Sequence, residues 1–288
     1  MPQALRTALQ ETLLDWQADL PDEWRSALAA VHLDFEGVDA QLELEAWEPV
    51  FPARKGRRLP GMPAGAHMLK AFDSVMPSKV RCLVLGQDPY PSIDIATGRA
   101  FEVGNVAQWR ELDKMFTKSI RAWVQMLAEA RTGNAGYGGS FANWPRTLAD
   151  IESGALPFET PAALSDRWTD DGVLLLNTSF TLSRFQVAID PHQSHGHLVL
   201  WKPLIQAVLA HLSKRGEPLV CMGFGASAAE AFAAAGIGEG RNGNVACILR
   251  EHPAYADAVL GLPNPFALCN THLAEMGSAP IQDRKSVV

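Results

Sequence analysis

The chain has no apolar run approaching the roughly 20 residues that a membrane-spanning helix needs. Its first residues, MPQALRTALQETLLDW, mix charges into apolar positions instead of forming a signal peptide. Both absences predict a cytoplasmic protein with no membrane partner. Cysteine is scarce: Cys82, Cys221, Cys247 and Cys269 stand singly, with no close pair such as C-x-x-C to hold zinc or an iron–sulfur cluster. Most of them lie in or beside apolar runs, which predicts buried thiols rather than ligands. Positive charge is short as well. With 25 Lys and Arg against 32 Asp and Glu, the net charge is −7. The molecule as a whole does not attract nucleic acid, so any affinity for a phosphate backbone must be local.

What is present is apolar mass: 288 residues, 47% of them hydrophobic, suffice for one large core and a small appendage. We divide the chain into an N-terminal helical and loop extension, residues 1–60, and a catalytic domain, residues 61–288. The extension carries a basic stretch, Arg54-Lys55-Gly56-Arg57-Arg58, whose simplest reading is a solvated loop. Four short apolar runs end in residues unlike those of a core: Val80–Leu85 before Gly86-Gln87-Asp88, Gly172–Leu176 before Asn177, Pro218–Met222 before Gly223, and Val245–Leu249 before His252. These read as strands. Helical patterns occupy Ala66–Ser74, Val106–Arg131, Leu198–Ser213 and Ala226–Ala235. The glycine-rich segment Thr132–Ser140 reads as a surface loop. The alternation predicts an α/β fold, a three-layer sandwich with a central, mostly parallel four-stranded sheet flanked by helices.

In such sheets the ligand crevice lies beyond the carboxyl ends of the strands, so Asp88, Asn177, the Gly223 turn and His252 should converge on one rim. The loop Gly86-Gln87-Asp88-Pro89-Tyr90-Pro91 sets one carboxylate and one aromatic ring between two prolines that stiffen the backbone. It resembles the water-activating Gly-Gln-Asp-Pro-Tyr-His motif of the family 1 uracil-DNA glycosylases, differing at Pro91. Gly98-Arg99-Ala100-Phe101-Glu102-Val103 is similar to the segment that carries the family's stacking phenylalanine, and Gly172–Thr178 to the strand whose terminal asparagine reads the uracil edge. Glu251-His252-Pro253 resembles the start of the His-Pro-Ser-Pro-Leu motif, and Phe266-Ala267-Leu268-Cys269-Asn270 a later Phe-x-x-x-Asn segment. The likeness covers roughly residues 60 to 278.

The resemblance implies a DNA repair enzyme that hydrolyses the N-glycosidic bond of uracil in single- or double-stranded DNA, as a monomer and without cofactor or metal. Asp88 and His252 are the implied catalytic residues. Gln87, Tyr90, Phe101 and Asn177 are implied to hold the base. The chemistry is coherent from the residues upward. Breaking the bond leaves positive character on the sugar, which a carboxylate compensates, and negative charge on the base, which an imidazole N–H compensates. An asparagine amide offers a donor beside an acceptor, complementary to uracil's O4 and N3–H.

The DNA-gripping loops depart from the family. Ala256 falls where the family has its leucine wedge, which leaves Tyr255, Leu260 or Leu262 to fill the gap left by an extracted nucleotide. Ser92–Ile95 lacks the family's Gly-Pro-Gly-Gln character, and no proline-serine phosphate clamp appears near Met115–Ser119. Ser194 and His195 match a Ser-His pair that the family carries before its next helix, which leaves open a contact to the DNA backbone, a role supporting the site, or a plain helix-start loop. They lie in His192–His197, where three imidazoles suggest a metal but the acid nearby is Asp190 alone, with no cysteine. Gly223–Ala228 resembles a dinucleotide fingerprint, a rival reading weakened by its place on the third strand; on the family pattern Gly225 and Ser227 contact a phosphate instead. Two alternatives remain open: a glycosylase of this fold with altered base specificity, and a non-catalytic DNA-binding relative.

Overall fold

A computed structural model describes residues 2–114, 117–184 and 190–281. A two-residue antiparallel ribbon, β1 (Gln3–Ala4) with β2 (Glu43–Leu44), ties down the N-terminal segment. The central sheet has five strands: β3 (Cys82–Gly86), β4 (Val173–Asn177), β5 (Leu219–Phe224), β6 (Gly240–Asn242) and β7 (Val245–Arg250). Their order is β4-β3-β5-β7-β6, all parallel except the edge strand β6, which runs antiparallel to β7. The helices are α1 (Leu5–Thr12), α2 (Asp22–Ala27), α3 (Lys118–Thr132), α4 (Trp144–Glu152), α5 (Pro161–Asp170), α6 (Leu198–Ser213), α7 (Ala226–Ala234), α8 (Ala256–Leu260) and α9 (Pro265–Glu275). Among the described residues no helix is long and apolar enough to cross a membrane.

Strand residues alternate between the two faces, as a pleated sheet requires. Leu83, Leu85, Leu174, Leu176 and Cys221 enter one core with α6 and α7. Cys82, Val84, Val173, Leu175, Val220 and Met222 enter the other with α3, α5, α8 and α9. Both faces are covered, so the strands carry continuous apolar runs. The N-terminal segment belongs to the first core: Leu5, Leu9 and Leu28 are buried there, Trp16 sets its edge on Trp201 at 6.3 Å, and the Trp24 indole donates to the Val75 carbonyl at 2.7 Å. All four cysteines are buried, and burial raises the Cys221 and Cys247 thiols well above their usual range.

The three-layer α/β architecture agrees with the sequence reading, and all four expected strands are present, each ending one or two residues later than its apolar run. The fifth strand, β6, is Gly-Arg-Asn and exposed throughout, so it has no apolar alternation to betray it. Two helix expectations need correction. Ala66–Ser74 forms only a 3-10 turn at Lys70–Phe72, because its backbone donors are claimed elsewhere: His67 N–H by the Thr97 carbonyl and Met68 N–H by the Ala53 carbonyl. Val106–Arg131 is not one helix; a 3-10 stretch, Trp109–Lys114, is pinned by the Trp109 indole to the Glu159 carbonyl at 2.6 Å, and α3 starts only at Lys118. Met115 and Phe116, in the segment where the proline-serine clamp was sought, lie outside the described residues, as do residues 282–288.

Candidate active site

The site begins with the parallel register that sets Gly86, the last residue of β3, opposite Asn177, the last of β4. A Cβ on Gly86 would stand 2.6 Å from Asn177 Oδ1 and 3.4 Å from the Phe101 ring, so only glycine allows the three groups to approach this closely. The pairing runs on past the strand ends. The Gly86 carbonyl accepts from Thr178 N–H at 3.0 Å, and the Gln87 carbonyl accepts from Ser179 N–H at 3.0 Å and the Thr178 hydroxyl at 2.8 Å. Pro89 and Pro91 fix the backbone beyond it. The loop is therefore an extension of the sheet.

Gln87, Asp88, Tyr90, Phe101, Asn177 and His252 all line one cleft of about 460 Å³, a volume suited to a small ligand. Tyr255 stands at its mouth, 68% exposed. The Phe101 ring stacks on Trp123 with centroids 4.1 Å apart and planes 10° from parallel, and meets Phe224 edge-on at 5.3 Å. Its backbone sits in the left-handed region, at φ 56°, strain of a kind that gathers at functional sites. Asn177 is buried, and among the described residues no hydrogen bond uses its amide, which leaves a donor and an acceptor for a ligand. The Tyr90 hydroxyl is buried beside Ser119 and, among the described residues, meets no partner at hydrogen-bond geometry; burial pushes its pKa up to about 12.

Both oxygens of the Asp88 carboxylate are held by amides. Gln87 Nε2 donates to Oδ2 at 3.0 Å, and Gln193 Nε2 donates to Oδ1. Burial pushes the carboxyl up to about 7, against these two hydrogen bonds, which pull it down. Burial also lowers the His252 imidazole, favouring the neutral ring. Its Nδ1 accepts from Ala254 N–H at 3.2 Å, so the neutral ring carries its proton on Nε2. Room for this turn comes from Gly225, at φ 94°, where a Cβ would press within 3.4 Å of His252 Cβ. That packing accounts for a glycine in the stretch that resembled a dinucleotide fingerprint.

The other expected residues lie apart from the cleft. Leu260 is 4% exposed, inside the second core, while Leu262 is 46% exposed on the loop after α8. Ser194 and His195 occupy a π-helical turn, Gln193–His197; the Ser194 hydroxyl donates to the Asp190 carbonyl at 3.2 Å, and the His195 carbonyl accepts from Asp39 N–H at 3.0 Å. Ser227 lines a separate depression between α6 and α7, together with Thr178 and Lys202. Among the described residues no cluster of His, Cys, Asp and Glu could hold a metal ion. The imidazoles of His192 and His197 bond hydroxyls instead, Ser183 at 3.0 and 2.9 Å and, for His197, also Thr181 at 2.8 Å. In the basic stretch, Arg54 pairs with Asp19 and Lys55 with Asp73, leaving Arg57 and Arg58 in solvent.

Two residues that line the cleft, and one that reaches Asp88, escaped the sequence reading. Lys118 and Ser119, at the start of α3, line the cleft and bring it a cation; the sequence reading set both inside one long helix, where nothing marked them. Gln193 reaches Asp88 across 105 residues, and nothing local marks it.

No protein-family profile matches the chain. It is similar to the uracil-DNA glycosylase of Mycobacterium tuberculosis (strain H37Rv), with 29% identity over 236 residues, 80% of this chain and 82% of that protein. The uracil-DNA glycosylase of Mycolicibacterium vanbaalenii shares 27% over 267 residues, 92% and 95% of the two chains. Among solved structures, a point mutant of the UNG from Nitratifractor salsuginis superposes with a TM-score of 0.60 at 21% identity, covering 94% of this chain and 97% of that one. Mimivirus uracil-DNA glycosylase superposes at 0.57 with 13% identity, covering 97% and 92%. At these identities the structural likenesses speak for the fold.

Proposed function

We infer that this chain is a uracil-DNA glycosylase, a base-excision repair hydrolase that releases uracil from DNA and leaves an abasic site. The observation that carries the reading is the convergence of Asp88, Asn177 and His252, from three separate strand ends, on one cleft in a chain whose relatives bear that name. The five matches in the Gly86–Pro91 loop support the family 1 type.

The target base lies inside the helical stack, so the nucleotide must swing out to reach the cleft. There the base stacks against Phe101, and the Asn177 amide donates to O4 and accepts from N3–H. Tyr90, stiffened between prolines, packs against C5, where thymine would carry its methyl group. As the glycosidic bond opens, the base gains negative charge that His252 Nε2–H stabilises. A neutral imidazole suits this task, since it donates without surrendering its proton. Asp88, ionised, favours the cationic sugar and takes a proton from the attacking water.

The DNA grip follows from the cleft's mouth. Tyr255, exposed there, is the side chain suited to fill the vacated stack; Leu262 stands further along the same loop, and buried Leu260 does not reach it. Lys118, with Ser119 at the start of α3, supplies the local positive charge that a net charge of −7 demands. Ser194, His195, Gly225 and Ser227 would contact the backbone further out. The enzyme acts as a monomer, and residues 1–60 form an extension to the catalytic unit.

The test is excision from a labelled single-stranded oligonucleotide with one deoxyuridine, beside a thymine control and with EDTA present. Alkali-labile cleavage at uracil alone is the expected result. Absence of product from single and double strands alike overturns the reading.

A further inference from the structure

We propose that Gln193 is a positioning residue for the hydrolytic step, holding Asp88 Oδ1 with its amide N–H and presenting its carbonyl Oε1 to the attacking water. The proposal rests on the function inferred above.

A carboxylate can only accept hydrogen bonds, so contact with Asp88 turns the Gln193 NH2 group inward. That fixes where the carbonyl points. Gln193 Oε1 is buried and has no partner among the described residues. Buried acceptors are seldom left so, and one beside a site is a place for water or ligand. The side chain itself is 8% exposed. An attacking water has two protons to place, and Asp88 and Gln193 Oε1 supply two acceptors side by side. Pro91, in the Asp88 loop, has no polar side chain to offer.

The mount of Gln193 is rigid. Its N–H donates to the Asp190 carbonyl at 3.0 Å, and His192 N–H donates to Asp190 Oδ1 at 2.8 Å. Below lie Ser183, Thr181 and His197, closed by the Trp201 indole on the Thr181 hydroxyl at 2.8 Å. A π-helical turn often marks a functional position, and this one carries Gln193 as its first residue.

In the step itself, the water oxygen bonds to the sugar's C1′ as the C1′–N1 bond breaks. The bond pair leaves on the base, one water proton passes to Asp88, and the other stays on the new hydroxyl, directed at Gln193 Oε1. Nothing is oxidised or reduced. Gln193 also sets the proton affinity of Asp88, since its N–H favours the ionised form. The titratable and charged groups that share the cleft are Tyr90, Arg99, Lys118, His252 and Tyr255; on the Gln193 side stand Asp190, His192, His195 and His197.

The experiment compares wild type, Gln193→Leu and Gln193→Asn in single-turnover excision of uracil across pH, with melting temperature as the check on folding. Gln193→Leu is expected to slow excision roughly 10- to 100-fold with little change in KM, and to move the acidic limb of the pH profile upward. Gln193→Asn keeps an amide in the pocket but withdraws it from Asp88, so it shows the same upward move even if Gln193→Leu does not fold. A variant that folds with the wild-type rate and limb, or that loses rate with the limb unmoved, overturns the proposal. A wild-type protein that releases no uracil overturns the parent reading and this one with it, so the two failures are told apart by the wild-type lane.

Discussion

The floor of the cleft and its mouth are built differently. On the floor, Asp88, Asn177 and His252 stand at the ends of parallel strands, their backbones fixed by ladder bonds that continue into the loops. At the mouth, Tyr255 and Lys118 stand in solvent on a turn and a helix end. The mouth's anchor is lighter: Asp257 in α8 accepts from Phe141 N–H at 2.8 Å and the Ser140 hydroxyl at 3.1 Å, while Lys118 lies over the Phe141 ring at 5.1 Å. The floor keeps most of the motif residues of the family it resembles; the mouth departs from that pattern. Under the proposed function, reaction type would be tied to the sheet, and choice of DNA form left to parts that can vary without disturbing it.

Substitutions should separate the two regions. Asp88→Asn is expected to be the most damaging, slowing single-turnover excision roughly 100- to 10,000-fold on single and double strands equally. The same change should stabilise the fold at alkaline pH. Because the folded carboxyl titrates near 7, above its value in the unfolded chain, its contribution to stability is full in acid and is lost as pH rises through 7. Relief of that cost is at most about 4 kcal/mol. Thermal melts should show the gain at pH 8 and none at pH 4; equal shifts at both would refute the raised pKa. In the wild type, excision should rise through a pH near 7 and then level, with no fall from His252, whose neutral form already prevails there.

His252→Leu comes next, with turnover lowered roughly 100- to 1,000-fold while affinity for uracil-containing DNA holds. Equal losses in rate and affinity would move His252 from the floor to the grip. Tyr255→Ala should cost about tenfold on duplex and much less on single strands, which have no stack to refill; equal loss on both would deny it the wedge role. Smallest is Lys118→Ala, expected to reduce the slope of log affinity against log salt by about 0.9 on duplex, with turnover at saturation unchanged. A slope that does not move would remove Lys118 from the phosphate contacts.

The division between floor and mouth also governs what could be read from the sequence. The floor was legible because strands buried on both faces leave apolar runs, and the polar residue ending each run stands out. The span of α6, Leu198–Ser213, was legible for the same reason, its apolar pattern meeting Ser213 and Lys214. Helices α4 and α5 went unread although Pro145 and Pro161 stand in their first turns and Thr160 caps α5 by accepting from Ala163 N–H at 3.4 Å. They fall between Ser140 and Gly172, a stretch to which the sequence reading assigned no element. Leu260 and Leu262, two residues apart, could not be sorted into core and surface until the short turn of α8 fixed which faced inward. Gln193 was beyond reach, since its role exists only where two distant segments meet.

The packing of Leu5, Leu9 and Trp16 against the helix that carries Trp201 has a consequence for synthesis. On a ribosome adding 5–20 residues per second, these side chains emerge roughly 10–40 s before the partner that covers them. Through that interval the leading segment is an unsatisfied greasy strip tethered to a growing chain, a natural client for a chaperone.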